Sequence, residues 1–395
     1  MKNFAANIKQ LLNFRYIKSN PLLLTIFILL CIGIYFVFNS TVVYSLQNYG
    51  TPYRFGILHL AWVIIGLVFF SFFFNFGLFR LRRVTKIVYI FSFIFLLILF
   101  VSKFFPCNPD GFAKCVKGAN RWIVLNPAPI PEIPFLGSIS FQPSELAKLA
   151  IVLICALFLT KETLSLNQKI KSIFFYCAPL LAFVFFQPNK STSLILLSIF
   201  VSMYLVYGER LKYLVYALPF ITVVFIFFII YDSYSSNRVK TYFDVNSSAD
   251  QNYHTNQIEI SLGSGGIFGV GLGKSRQKFS FLPEIYSDSI FAVIGEEAGL
   301  IGTMVVASLI FYLIYLGFYV ASVQTEMYYK LLATGITAWF GSQAVVNLFA
   351  MTQLFPLTGV PLPLISYGGS STIFLMTGLG ILGNISRSVY EKRFR

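Results

Sequence analysis

Residues 87–101 read IVYIFSFIFLLILFV, and this run decides the fold class. Apolar side chains fall on every side of it, with no alternation of apolar and polar positions. A membrane-spanning β-strand alternates with a period of two, so the run is a helix facing lipid or other helices. The rest of the chain repeats the pattern. Of its 395 residues 57% are hydrophobic and 11% charged, against roughly 25% charged in soluble domains. The 45 Phe and 23 Tyr suit lipid-facing helices with rings at the interfaces. The expectation is an all-α polytopic membrane protein.

Apolar segments of about 17–25 residues are long enough to span a bilayer. Ten are expected, near 21–38, 55–75, 87–105, 144–160, 172–187, 191–207, 213–231, 289–320, 332–352 and 367–386. The run at 289–320 exceeds one simple span, which predicts tilt or projection beyond the bilayer. The first twenty residues carry Lys2, Lys9, Arg15 and Lys18 with no acid, and the first apolar run, after Pro21, lacks a small-residue cleavage site. That pattern predicts a retained first span.

Ten spans put both termini on one side, and the basic residues say which. Arg80, Arg82, Arg83, Lys86, Lys161, Lys169, Lys171, Arg210, Lys212 and Lys330 fall in alternate connections, and Arg387, Lys392, Arg393 and Arg395 in the tail. The short connections of the opposite set hold only Arg54 and Lys190. The bias predicts cytoplasmic termini. Two long loops, 106–143 and 232–288, then fall outside, and residues 1–395 form a single integral membrane domain. The net charge of +15 is spread over these connections, so it sets topology and implies no nucleic-acid partner. Cys31, Cys155 and Cys177 lie in spans, where apolar packing is their ordinary role. Cys107 and Cys115 share the outer-loop segment CNPDGFAKC, where an oxidising compartment favours a structural disulfide.

The polar motifs concentrate outside. GSGGIFGVGLGKSRQK (263–278) lacks the glycine that a nucleotide-binding loop needs five residues before Gly-Lys-Ser; Phe268 stands there. What remains is a close-approach backbone ending in Lys274, Arg276 and Lys278, donors suited to a phosphate or diphosphate; a solvated basic turn is the plainer alternative. Asp288 precedes the apolar run SIFAVI. It either complements a helix dipole or accepts a proton from a sugar hydroxyl, with Glu284 the nearest competitor. Glu296 and Glu297 lie about 12–13 Å further along a helix rising 1.5 Å per residue, a depth that demands polar surroundings. Glu145 and Lys148 sit at i and i+3 on one helix face, placed for a pair that eases both desolvation costs. Arg121 offers a bidentate phosphate grip beside an interfacial Trp122. Near the end, PLPLISYGGSS (361–371), with Ser370, joins helix breakers to small residues; irregular backbone there must be buried or line a cavity.

In this order GANRWI, FQPSELAKLA, FQPN, GSGGIFGVGLGKSRQK, LPEIYSDSIFAVIGEEAGLIG and PLPLISYGGSS resemble the motifs of the SEDS family of cell-wall polymerases (shape, elongation, division and sporulation), and GLGKSRQKFSFLPE resembles its division branch, FtsW, more than its elongation branch. The resemblance spans the chain from the third apolar segment to the last. It implies a ten-helix fold and a peptidoglycan glycosyltransferase consuming lipid II in the bacterial inner membrane at the division septum. It also implies a class B penicillin-binding protein as transpeptidase partner, with other divisome proteins and membrane lipid around it. The family's essential aspartate falls on Asp288, its fourth-span Glu and Lys on Glu145 and Lys148, and its loop arginine on Arg121. Two positions depart from the pattern. Tyr286-Ser287-Asp288 stands where the family has His-Thr-Asp, keeping carboxylate and hydroxyl without the imidazole. Gln187-Pro188-Asn189 stands for Gln-Pro-Asp.

Lipid II carries its own activated bond, so no nucleotide cofactor is expected; a divalent cation, Mg or Mn, would assist the departing diphosphate. Asp288 is the expected base, Glu145 and Lys148 its support, with Arg121, Trp122, Lys274, Arg276, Lys278 and Ser370 on the substrate. The competing readings are a lipid II flippase, which needs a continuous polar path through the bundle, and a division scaffold without catalysis.

Overall fold

The structure is a computed structural model that describes residues 20–106, 108, 111–116, 119–127, 139–187, 189–208, 249–279 and 284–390. Among these are ten helices and one three-stranded sheet. The helices are α1 (Pro21–Tyr49), α2 (Arg54–Phe74), α3 (Leu78–Ser102), α4 (Pro143–Leu159), α5 (Leu166–Phe186), α6 (Lys190–Tyr207), α7 (Ala249–Gly265), α8 (Ile290–Val323), α9 (Met327–Met351) and α10 (Gly369–Tyr390). The strands are β1 (Ala113–Val116), β2 (Ala119–Val124) and β3 (Ser140–Phe141), antiparallel in that order. Seven helices, α1, α2, α3, α5, α6, α8 and α9, are long and apolar enough to cross a membrane. Helix α4 packs against α3, α6 and α9, and α10 against α2 and α9. The polytopic helical expectation holds; the expected span at 213–231 lies outside the described residues, as does Cys107. Cys115 is disulfide-bonded, while Cys31, Cys155 and Cys177 are free.

Several boundaries move for local reasons. Helix α1 continues eleven residues past position 38, because Asn20 caps its start and Gly50 its end in a left-handed conformation with φ 70°. Helix α3 begins at Leu78, so Arg80, Arg82, Arg83 and Lys86 lie on its first turns, not in a connection. Part of the expected outer loop 232–288 is helical, as α7. The long run at 289–320 is a helix broken at Gly299, with φ 66° and ψ −164°; a side chain there would meet the backbone of Ile267 and Gly269.

The bundle has two distinct ends. At one, Asn20 Nδ2 donates to Ser386 Oγ at 3.0 Å, Asn384 Nδ2 to Phe76 O at 2.7 Å, and Arg82 pairs with Glu326 at 2.9 Å. Arg80, Arg82 and Arg83 of α3, Lys330 of α9 and Arg387 of α10 lie near this end. At the other, Gln142 N donates to Ser370 Oγ at 3.3 Å, Arg121 Nε to Gln187 O at 3.3 Å and Asn347 Nδ2 to Asp288 O at 2.8 Å.

Helix α9 is the axle. Its apolar window is 89% buried, against 22% for α3 and α5, so the outer helices face lipid and α9 faces protein. Beside it the segment between α9 and α10 sinks into the bundle: Val360, Leu362, Leu364 and Ile365 are buried, and Leu364 takes φ 66°. Gly33 lets this segment approach α1, since a Cβ there would collide with the Leu364 carbonyl. Its backbone is satisfied within the protein. Gln343 Nε2 donates to Pro361 O at 3.1 Å, Asn347 Nδ2 to Val360 O at 2.8 Å, and Leu362 N to Ser366 Oγ at 2.8 Å. Irregular backbone is stable at such depth only under that condition.

Candidate active site

Asp288 lies half-buried on the turn that enters α8. Its Oδ1 accepts from Ser287 Oγ at 3.0 Å. Three elements fix the turn through groups other than this carboxylate. Asn347 of α9 donates to the Asp288 carbonyl and, with the same nitrogen, to Val360 O. Tyr367 N donates to Tyr286 O at 2.8 Å. From α7, His254 Nε2 lies 2.9 Å from the Oγ of buried Ser289. An imidazole therefore stands beside the Asp288 turn although Tyr286 stands where the resemblance expects histidine. Burial holds the Tyr286 phenol above its ordinary range, helped by Tyr44 and Glu284, so it stays a neutral donor.

One helical turn along α9, Gln343 receives the second polar group. Glu145 and Lys148 form the expected i,i+3 pair at 2.7 Å, with side chains 4% and 1% exposed. Lys148 Nζ also donates to Gln343 Oε1 at 2.8 Å, and Trp339 Nε1 donates to the same oxygen at 3.1 Å. Gln343 and Asn347 are four residues apart, so they share a face, about 6 Å apart along the axis. The face aligns the Glu145–Lys148 pair, the buried segment and the Asp288 turn. Neither amide was anticipated from the sequence; the available signal was two amides at i and i+4 in an otherwise apolar span.

The other expected residues divide. Ser370 is buried and its Oγ is taken by Gln142 N, which ties the start of α4 to α10. Arg121 and Trp122 lie on β2, with Trp122 opposite Lys114. The strand is moored by Asn120 Nδ2, 3.0 Å from both Ser102 O and Ser102 Oγ. Arg121 Nε reaches Gln187 O.

The glycine-rich segment folds against α8, and its N–H groups are filled from within. Glu296 Oε1 accepts from Arg276 N at 2.8 Å and its Oε2 from Gln277 N at 3.4 Å and from Ser275 Oγ. Glu297 accepts from Gly273 N at 2.9 Å, Ser275 N at 3.3 Å and Asn39 Nδ2 of α1 at 2.6 Å. The two carboxylates, 2% and 1% exposed, thus fasten the segment to α8 and α1. Gly265 and Gly269 permit the approach, because a Cβ at either would collide with the Gly295 or Glu297 carbonyl. Lys278 Nζ is turned inward to Asn39 Oδ1 at 3.3 Å and to the Gly273 carbonyl. Lys274 and Arg276 are exposed, so the cationic donors facing outward are two, not three. Replacing Glu297 by Ala removes the carboxylate that accepts from two backbone N–H groups. Charge-assisted bonds of about 1.5–3 kcal/mol each predict amide exchange at Gly273 and Ser275 accelerated more than tenfold; unchanged exchange would reject the clamp.

Among the described residues no group of three or more His, Cys, Asp or Glu side chains is placed to hold a metal ion. Asp288 with Ser287 is a poor donor set for a resident cation.

The cell cycle protein model covering FtsW, RodA and SpoVE matches residues 20–391. The probable peptidoglycan glycosyltransferase FtsW of Geobacter metallireducens is 30% identical over 97% of both chains. Stage V sporulation protein E of Bacillus subtilis is 29% identical over 94% of this chain and 98% of its own. A chain of a peptidoglycan synthase complex that coordinates polymerization and crosslinking superposes with a TM-score of 0.70 at 22% identity, covering 95% of this chain and 98% of its own. RodA of Thermus thermophilus gives 0.65 at 22% identity, covering 95% and 97%. These two structural likenesses speak for the fold.

Proposed function

This chain belongs to the FtsW, RodA and SpoVE family of cell cycle proteins, and from that premise we propose that it is a peptidoglycan glycosyltransferase polymerising lipid II at the outer membrane face, with Asp288 as base. The observation that carries the assignment of roles is the Asp288 turn, held by α7, α9 and the buried segment through groups other than its carboxylate.

The Asp288 carboxylate takes the proton from the 4-hydroxyl of the acceptor's N-acetylglucosamine. That oxygen attacks the anomeric carbon of the growing chain's muramic acid sugar. The bond from that carbon to the diphosphate oxygen breaks, the configuration inverts to a β-1,4 link, and polyprenyl diphosphate departs with the bonding pair. Arg121, Lys274 and Arg276 are the cations that would meet its developing charge. Glu145 and Lys148 hold the geometry from within. The septal setting, a class B transpeptidase, other divisome partners and cytoplasmic termini follow from the FtsW-like motifs and the basic end of the bundle. Tyr286 and Asn189, which depart from the family's pattern, take no proton in this scheme.

Purified protein incubated with labelled lipid II, alone and with its transpeptidase, tests the reading. Glycan strands are expected. Translocation without strands would make the chain a flippase, and neither outcome a scaffold.

A further inference from the structure

We propose that the outer ends of α1 and α2 form a saccharide-binding platform that holds the glycan beside Asp288. The proposal rests on the glycosyltransferase reading and adds a subsite to it.

The rings make an unbroken column from solvent to the catalytic turn. Tyr49 lies 5.7 Å from Phe55, Phe55 5.3 Å from Tyr286, and Tyr286 5.7 Å from Tyr367, centroid to centroid. Tyr44 joins both Phe55 at 5.2 Å and Tyr286 at 5.3 Å. The column opens outward at Tyr49, which is 44% exposed; Tyr53, 57% exposed, packs its ring on Phe38 at 5.9 Å. Arg54 places its guanidinium 4.0 Å over the Tyr49 ring, and among the described residues it makes no ion pair. Two residues after Tyr286 comes Asp288. The mechanism above uses none of these rings and not this cation.

A pyranose suits this surface. Its axial C–H groups present a weakly positive face that settles on the negative face of an aromatic ring, while its hydroxyls point sideways to polar donors. Arg54, stacked over Tyr49, offers a planar fork of N–H groups to the peptide-stem carboxylates that hang from muramic acid sugars. Interfacial tyrosines that merely anchor a helix need no ring contact with the catalytic turn. Here that contact is continuous. The commitment is therefore to the lipid-free saccharide part of the substrate, with membrane anchoring as the rival outcome.

The test uses the full chain in lipid nanodiscs and a soluble glycan fragment of alternating N-acetylglucosamine and N-acetylmuramic acid bearing peptide stems. Direct binding is measured for the native protein, Tyr49→Ala, Tyr49→Phe and Arg54→Ala, alongside the thermal transition and lipid II polymerisation. Tyr49→Ala and Arg54→Ala are expected to bind the fragment at least tenfold more weakly and to raise the KM for lipid II with kcat retained. Tyr49→Phe should keep near-native affinity because it keeps the ring. Native-like affinity and KM in both Tyr49→Ala and Arg54→Ala would overturn the platform, as would a loss in Tyr49→Phe equal to that in Tyr49→Ala. A shift in the thermal transition with fragment affinity unchanged would leave these groups as membrane anchors and overturn it too. Absence of strands from the native protein, with the fragment still bound, would instead remove the glycosyltransferase reading.

Discussion

Asp288→Asn is expected to lower lipid II polymerisation by about 10²–10⁴-fold, the usual contribution of one positioned base, with the thermal transition unchanged. The contacts around the residue support this separation. Asn347 holds the Asp288 carbonyl, not its carboxylate, and an asparagine Oδ1 can still accept from Ser287 Oγ. Tyr367 and His254 grip the neighbouring residues Tyr286 and Ser289. The turn therefore keeps its anchors, while an amide has no capacity to take the 4-hydroxyl proton. Ser287→Ala should cost less, because it removes one hydrogen bond to the carboxylate, worth about 1.5–3 kcal/mol, and leaves the base in place. Near-normal strand synthesis by Asp288→Asn would sink the assignment, whatever its stability.

What the sequence could and could not show follows from the range of each interaction. The spans were legible because hydropathy is local, and the Glu145–Lys148 pair because i and i+3 share a helix face. Asp288 stood out as a carboxylate where an apolar run begins. Gln343 and Asn347 did not stand out, since Lys148 and Asp288, the partners that tie them to the site, lie 195 and 59 residues away. The contact of His254 with Ser289 left no spacing to read. The glycine-rich segment shows both sides of the limit. Its supply of N–H groups and cations was plain, yet Glu296 and Glu297, some twenty residues on, fill those N–H groups and turn Lys278 inward. Two carboxylates that looked anomalous in a span are the fasteners of the segment before it.

The second large effect concerns Glu145 and Lys148, and the order of the variants matters more than any single value. Glu145→Ala leaves the Lys148 ammonium 1% exposed, with Gln343 Oε1 at 2.8 Å and the face of Trp339 at 5.4 Å as its remaining neighbours. Breaking one side of a buried pair costs about 3–5 kcal/mol, because a charge is left without its counterion, whereas replacing both partners by hydrophobic side chains of similar volume is often neutral or stabilising by about 1–4 kcal/mol. The pair Glu145→Leu with Lys148→Met should therefore melt at or above the native temperature, while Glu145→Ala melts well below it. Polymerisation will not follow the same order. Lys148 helps hold Gln343, and Gln343 and Asn347 lie on the face that carries the buried segment and the Asp288 turn, so losing the ammonium leaves Gln343 Oε1 with Trp339 alone and loosens that face even where stability recovers. The double variant is expected to be stable yet at least tenfold slower in strand synthesis. Full recovery of both properties would make the pair a fold element only; failure of the double variant to recover stability would mean that Glu145 is held by interactions other than its partner.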